Sequence, residues 1–205
     1  MRLIYYYIFL CILFPYSDKP FFDLFKLNNN IIAQIEKGNV VTIKTDTLLG
    51  PGEHYQAYTL VNANITDVFK AIENFDEYPK FMPRFDSVET IYNSDTLTTY
   101  IFNIILPLNI HYKYKIKSKE YINSSCAWLS WETIPWEENS IKETWGQWYL
   151  TPYQGSNKKT LIQYQVYTDP GYIPFGLEWI IDIMTKKSLP KTIKNLKIWI
   201  ENDKK

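Results

Sequence analysis

A long run of alternating apolar and polar residues between Phe85 and Asp169 is the feature that most limits the possible folds of this chain. In the segment IHYKYKIK, residues 110–117, Ile and Tyr occupy one set of alternate positions, and His and Lys occupy the other. Successive side chains of a strand point to opposite faces of a sheet, so this pattern predicts strands with one apolar and one solvated face. Short polar turns interrupt the run at residues 93–95, 123–124, 137–139 and 155–157. They predict a meander of antiparallel strands.

The apolar positions of these strands carry many aromatic rings. Buried tyrosines and tryptophans often pack as plain core, but each keeps a polar atom that can hydrogen-bond a ligand. Alternation along TWGQWYL places Trp145 and Trp148 on opposite faces, and we predict that Trp148 points inward. Gly146 between them predicts a bulge or a close backbone approach. The other inward positions are Tyr100, Phe102, Ile104, Leu106, Tyr112, Tyr114, either Trp128 or Trp131, Leu150, Ile162, Tyr164 and Val166.

Helices and further strands are predicted ahead of the meander. A short helix ending at Gly38, a strand over 39–45 and a strand over 53–63 come first. Asn64, with an acidic residue three positions later, then indicates the N-cap of a helix. The apolar face of this helix consists of Ile65, Val68, Phe69, Ile72 and Phe75.

The segment AIENFDEYPKFMPRFDSV, residues 71–88, carries more apolar surface than an interrupted helix requires. Its two prolines prevent a regular helix and predict a bent second helical turn. Phe81, Met82 and Phe85 then either cap the core or cover one end of an internal cavity as a movable lid, for which the adaptable Met side chain is well suited.

The C-terminal region predicts one long helix that is kinked or interrupted near Ser188. Its apolar stripe comprises Leu177, Ile180, Ile181, Met184, Leu189, Ile193, Leu196 and Ile200. The concave face of the predicted sheet is the large apolar surface that this stripe can cover. We therefore predict an α+β fold in which a curved antiparallel sheet wraps around a long C-terminal helix, with two short helices after the first strand. An apolar cavity remains wherever side chains do not fill the gap.

The N-terminus predicts export. Arg2 precedes an apolar run of about 12 residues, Leu3 to Phe14, which is shorter than the roughly 20 residues that cross a bilayer. We predict a signal peptide at 1–17, an N-terminal helix and strand extension at 18–54, and the main domain at 55–205, in a periplasmic or secreted protein. An uncleaved membrane tether and lipidation at Cys11 stay open as alternatives.

Charge and motifs argue against several functions. The chain has 22 basic and 22 acidic residues among 205. It therefore lacks the excess of positive charge that nucleic-acid binding requires. His54 and His111 lie far apart and form no metal-ligand spacing. No phosphate loop or nucleophile motif is present in the sequence. We predict no metal, no cofactor and a monomer.

Three segments, AIENFDEYPKFMPRF, WGQWYLTPYQG and YQVYTDPGYIPFGLEW, resemble landmarks of the START-like (SRPBCC) superfamily, closest to its polyketide-cyclase and coenzyme-Q-binding branch with exported bacterial members. The likeness runs from about Ile35 to the C-terminus, although the bulky Tyr172 departs from the pattern. It implies a helix-grip fold around a hydrophobic tunnel. It also implies the binding or transfer of a lipid, sterol, quinone or similar apolar molecule.

Three hypotheses for function follow. The first is an apolar-ligand binder that makes transient membrane contact, and the second is a small cyclase- or dehydratase-like enzyme that uses Tyr112, Tyr114 or Glu132 in the same cavity. The third is an interaction module whose interior is filled by its own side chains. Lys113, Lys115, Lys117 and Lys119 either touch anionic headgroups or form a solvated strand face. The predicted ligand-binding residues are Phe81, Met82, Tyr100, Phe102, Ile104, Tyr112, Tyr114, Trp128, Trp148, Tyr164, Ile180 and Met184.

Overall fold

A computed structural model describes residues 27–45, 52–93, 97–173, 175 and 179–202, without the side chains of Ile181 and Met184. The predicted signal peptide and the predicted helical position Leu177 lie outside these residues. The described strands are β1 Val41–Thr45, β2 Glu53–Val61, β3 Phe85–Asn93, β4 Thr98–Leu106, β5 Ile110–Ile122, β6 Ala127–Thr133, β7 Glu143–Pro152 and β8 Thr160–Asp169. The described helices are α1 Asn29–Glu36, α2 Ile65–Glu73, α3 Tyr78–Phe81, α4 Trp179–Asp182 and α5 Ser188–Asn202.

The eight strands form one antiparallel sheet in the order β1-β2-β8-β7-β6-β5-β4-β3. Strands β3 to β8 are the predicted meander, and β8 returns to pair with β2 along their full lengths. Helices α2 and α3 carry the chain from β2 to the far edge at β3. Strand β1, from the predicted N-terminal extension, adds a further edge strand beside β2. The predicted α+β class, with a curved sheet around a C-terminal helix, is confirmed.

Helix α2 begins where the sequence predicts. The side chain of Asn64 accepts a hydrogen bond of 2.8 Å from the backbone N–H of Asp67, which satisfies one of the free donors of the first turn. The buried positions of α2 are Ile65, Val68, Phe69 and Ile72. After α2, a short 3₁₀ turn at Phe75–Glu77 leads into α3, which is the predicted bent second turn.

The C-terminal helix is interrupted before Ser188, as predicted. The five residues Ile183–Lys187 form a π-helical segment between α4 and α5, and the hydroxyl of Ser188 donates to the carbonyl of Ile183. Pro190, in the first turn of α5, lacks the N–H that would bond the carbonyl of Lys186, so regular α-helical pairing does not run from the π-helical segment into α5. Within α5, Leu189, Ile193, Leu196 and Ile200 are buried against the sheet.

The two faces of the central sheet differ as alternation predicts. Trp148 lies on the inner face in the main core, whereas Trp145 lies on the outer face and stacks on Tyr167 with ring centroids 5.4 Å apart. His54 lies beside Trp145 and is almost fully buried, which lowers its pKa to about 4. Within the part of the chain that the structure describes, no helix is long and apolar enough to cross a bilayer.

The N-cap of α2 gives a test of this fold. We expect Asn64→Ala to lower the free energy of unfolding by about 1 kcal/mol, because the freed N–H of the first turn loses its acceptor. Asn64→Ser keeps an acceptor and serves as the control, with a smaller loss expected. Urea denaturation measures both variants. Equal stability of Asn64→Ala and wild type contradicts the assigned cap.

Candidate ligand-binding cavity

A cavity of about 140 Å³ lies between the inner face of the sheet, α3 and the beginning of α5. Pro83 and Arg84 line it from the segment that joins α3 to β3, and Ser188 and Thr192 line it from α5. These four residues are half-buried, whereas most of the remaining wall is buried. We therefore place the mouth between the α3–β3 junction and the first turns of α5.

The inner part of the cavity is an aromatic box. Tyr164 stands at its centre, with the ring of Trp148 4.2 Å away and the ring of Trp131 stacked at 5.6 Å. These rings come from three adjacent strands, β6, β7 and β8. Trp148 on β7 lies directly opposite Tyr164 on β8, which brings their rings together. Phe75, Tyr78, Phe102 and Tyr114 complete the box.

Gly146 makes the position of Trp131 possible. The two residues are direct partners across β6 and β7. A Cβ atom at Gly146 would overlap the indole ring of Trp131 and would lie 2.5 Å from the carbonyl oxygen of Gln165. Of the two predicted roles for this glycine, the structure therefore supports the close approach.

The wall becomes polar towards the end that holds the first residues of β7 and the last of β8. Thr144 donates a hydrogen bond of 2.8 Å to the carbonyl of Tyr167 and lies 3.1 Å from the hydroxyl of Thr168. Thr185, in the π-helical segment, donates to the Glu53 carboxylate at 2.5 Å. All three threonines line the cavity. The space is thus apolar inside and polar near the mouth.

Of the three phenol groups in the box, two keep free hydrogen-bonding capacity. The third, Tyr78, donates to the carbonyl of Ile72 at 2.7 Å. The hydroxyls of Tyr114 and Tyr164 make no hydrogen bond with other described residues. Neither hydroxyl oxygen is fully enclosed by protein atoms. Their oxygens therefore reach the cavity surface. Burial raises the pKa of both groups far above the ordinary value, so both remain protonated donors.

The predicted lid residues divide between two roles. Phe81 stacks on Trp199 of α5 with centroids 5.1 Å apart, and its carbonyl accepts a 2.8 Å hydrogen bond from the Asn195 side chain. Phe81 therefore fastens α3 to α5 and does not line the cavity. Met82 and Phe85 do line it. The apolar surface of the segment thus both anchors α3 and closes one side of the space.

Six of the twelve predicted ligand-binding residues lie in the cavity wall. They are Met82, Phe102, Ile104, Tyr114, Trp148 and Tyr164. Phe81, Tyr100, Tyr112 and Ile180 pack in or against the main core beside the cavity, outside its wall. The side chain of Met184 lies outside the described residues. Ligand contact by any of these eleven residues stays a prediction.

The placement of Trp128 in the cavity was wrong. Its ring stacks on Tyr121 across the outer face of β5 and β6, with centroids 6.1 Å apart, and Trp131 lines the cavity instead. The sequence contained the deciding signal. Ala127 and Leu129 share the phase of Trp131, whereas Ser130 and Glu132 share that of Trp128, so alternation places Trp131 on the apolar face.

Neither Glu132 nor the histidines can serve as an acid or base in the cavity. Glu132 pairs with Lys117 at 2.9 Å on the outer face of the sheet, so its proposed catalytic use is wrong. His54 is buried on that outer face, and His111 is exposed. Among the residues that the structure describes, no group of three potential metal ligands occurs.

Fold and site together define a helix-grip protein with an internal cavity. The chain belongs to the polyketide cyclase / dehydrase and lipid transport family, whose sequence model matches residues 61–197. The predicted START-like resemblance is confirmed. A comparison with curated protein sequences found no match.

Solved structures with the same fold come from bacteria and humans. A STAR-related lipid transfer protein from Xanthomonas axonopodis is 17% identical with a TM-score of 0.66, over 79% of this chain and 93% of that one. Human StAR-related lipid transfer protein 5 is 14% identical with a TM-score of 0.69, over 82% and 84%. Zhui aromatase/cyclase from Streptomyces sp. R1128 is 8% identical with a TM-score of 0.62, over 75% and 96%. At these identities the likeness establishes the fold.

The contact at Gly146 gives a test of the site geometry. We expect Gly146→Ala to destabilise the protein by about 1–3 kcal/mol, because the new methyl group collides with the Trp131 ring and a strand carbonyl. Urea denaturation measures the loss. The double variant Gly146→Ala, Trp131→Leu should recover part of it, because one of the two collisions is removed. Stability within about 0.5 kcal/mol of wild type for Gly146→Ala contradicts the close approach.

Proposed function

We propose that this protein binds a small apolar or amphipathic molecule in the cavity between the sheet and α5, and that it carries such molecules rather than converting them. The observation that carries the proposal is an aromatic space of about 140 Å³ inside a domain core. Protein interiors normally leave few voids larger than a water molecule. An engineered cavity of about 150 Å³ is known to bind benzene. The space suits one ring or a short acyl chain, and a whole lipid, sterol or quinone requires the mouth to widen.

The chemistry of the wall supports binding with a defined orientation. Aromatic and aliphatic surface favours the apolar part of a ligand, and a few polar groups then select how it lies. Tyr114 and Tyr164 supply two hydroxyls that lack partners among the described residues, so a carbonyl or hydroxyl of a ligand can accept from them. The threonines at the other end provide a second polar contact region.

An enzyme that acts on an apolar ring or acyl substrate in this cavity is the second candidate. The observation in its favour is the same pair of hydroxyls, which can polarise a substrate carbonyl. Burial raises the pKa of both phenols far above neutral pH, and proton transfer is most efficient when the pKa lies near the working pH. Turnover that is abolished in Tyr114→Phe, with ligand uptake retained, would favour this candidate.

The third hypothesis, an interaction module with a filled interior, has less support. Large rings occupy much of the space under the sheet, but they leave a void. We also propose export of a monomer to the periplasm or the cell exterior. Native mass spectrometry of protein from its own host reports signal removal, lipidation, oligomeric state and bound ligand together.

Filling the cavity tests the binding proposal. Ile104 is half-buried in the wall, and Ile104→Trp places an indole in the space that a ligand requires. We expect uptake of a neutral apolar dye such as Nile red to weaken about tenfold or more, equivalent to about 1.4 kcal/mol. Fluorescence titration measures the affinity, and circular dichroism checks the fold.

Ile91→Trp is the matched control, because Ile91 is 44% exposed on β3. It introduces the same side chain on a strand without narrowing the cavity, so wild-type dye affinity is expected. Equal dye affinity in Ile104→Trp and wild type would locate binding elsewhere. A wild-type protein that takes up neither the dye nor any of several lipid classes would rule out the proposed function.

We propose that the mouth end of the sheet contacts a membrane during ligand exchange. Leu108 is 79% exposed in the β4–β5 turn, and Tyr172 and Phe175 are 89% and 99% exposed after β8. The N–H of Ile105 bonds the carbonyl of Arg84 at 2.9 Å, so the β4–β5 turn lies beside the mouth. The lysine stripe of β5 supports this less well, because Lys113 and Lys117 already pair with glutamates.

The double variant Leu108→Ser, Phe175→Ser tests membrane contact. We expect its co-sedimentation with phosphatidylcholine vesicles to fall at least about fivefold, because two side chains that would be buried in lipid become polar. Tyr92→Ser with Ile122→Ser is the control, because these exposed residues lie at the opposite end of the sheet. Equal losses in both double variants contradict a docking site at the mouth.

A further inference from the structure

One wall residue stands apart from the others in charge. Of the described side chains that line the cavity, Arg84 is the one that carries a formal charge. It lies at the mouth, on the segment between α3 and β3, and it is half-buried. The rest of the wall is apolar or uncharged, so this guanidinium is the dominant electrostatic feature of the entrance.

The guanidinium of Arg84 has no anionic partner in the described parts of the chain. Its side chain takes part in none of their ion pairs or hydrogen bonds. A charge that is partly removed from water and left unpaired is unfavourable, and folded proteins usually pair such a group. An arginine in this state at the entrance of a cavity is available to pair with an anionic ligand.

The backbone also holds Arg84 in an unusual conformation. Its φ of 74° lies in the left-handed region, which favours glycine. Its carbonyl is held by the 2.9 Å bond from Ile105 on β4. Strained backbone of this kind persists where the surrounding structure enforces it, and it is often associated with functional sites. A glycine would satisfy this turn with less strain, but it would remove the charge from the mouth.

The groups across the mouth are suited to an anion. The half-buried Ser188 and Thr192 of α5 face the same space as Arg84, and the hydroxyl of Thr192 makes no side-chain hydrogen bond to another described residue. A guanidinium binds carboxylate or phosphate through paired N–H donors, and such charge-assisted bonds are among the strongest in proteins. The aromatic box beyond the mouth has no charged side chain among its described residues, so it favours an uncharged tail.

We propose that Arg84 binds the anionic head group, carboxylate or phosphate, of an amphipathic ligand whose short acyl or ring tail occupies the aromatic box. This inference rests on the proposed binding function and narrows its ligand class. Of the ligands predicted from the sequence, a sterol or a quinone would leave Arg84 unpaired, whereas a lipid with an anionic head group would not. The polarity of the cavity wall, apolar within and polar at the mouth, matches the two ends of an anionic amphiphile.

Paired ligands test the role of Arg84. Octanoate, octyl phosphate and 1-octanol share one chain and differ in head group, and isothermal titration calorimetry measures each affinity. We expect Arg84→Gln to weaken the binding of octanoate, octyl phosphate or both about tenfold, and to change that of 1-octanol less than about twofold. The anion that shows the larger loss identifies the head group. Acetate should not bind detectably, because it lacks the tail.

Two variants serve as controls. Lys158→Gln removes a positive charge in the exposed β7–β8 turn, at the opposite end of the sheet, and should leave all affinities unchanged. Arg84→Gly removes the charge while relieving the left-handed backbone, so it should fold at least as well as wild type and show the same selective loss. It keeps the test decisive if Arg84→Gln fails to fold.

The outcomes distinguish failure of the proposed Arg84 role from failure of the proposed binding function. Equal effects of Arg84→Gln on the anions and on 1-octanol, or no effect on any of them, would overturn the role of Arg84 while cavity binding stands. Binding of acetate as tight as that of octanoate would also overturn it, because the site would then hold a free anion. Failure of wild type to bind all three octyl ligands and the neutral dye would instead reject the proposed function.

Discussion

The packing of α5 against the inner face of the sheet is the interaction on which the rest of the structure depends. Leu189, Ile193, Leu196 and Ile200 bury one stripe of the helix, while the sheet contributes rings from its strands β2 to β8 to the same core. Burial of this apolar surface drives the association. Rigid rings of different size cannot fill the concave space completely, so the same packing that stabilises the domain also leaves the cavity.

The helix ends decide where the cavity opens. The π-helical segment interrupts the regular pairing of the C-terminal helix just before Ser188, and α3 is fastened to α5 further along by Phe81 and Trp199. Between these two points the described residues make no such ring contact, and there the half-buried polar residues Arg84, Ser188 and Thr192 line the wall. An amphipathic ligand in this space keeps its charged end near water and its apolar end among the rings, which minimises the desolvation cost of both.

Much of this site could be predicted from the sequence because strand alternation is a local property. The phase of IHYKYKIK alone places Tyr114 inside, and the pairing of strands follows from the short turns between them. Trp128 was misplaced although the residues around it carry the strand phase that puts Trp131 on the apolar face. The packing of Phe81 against α5 could not be predicted, for a different reason. Its partner, Trp199, is 118 positions further along the chain, and no local pattern contains such a pair.

Taken alone, the sequence determined the α+β class, the order of the elements, the N-cap of α2 and the break before Ser188, since each depends on neighbouring residues through periodicity, capping or proline geometry. Only the tertiary structure decided which inward rings border a space and which are plain core. It also brought Arg84, Thr144 and Thr192 from three separate segments to one cavity wall. The volume left between packed side chains depends on how distant segments meet in three dimensions, and a linear pattern does not record that volume.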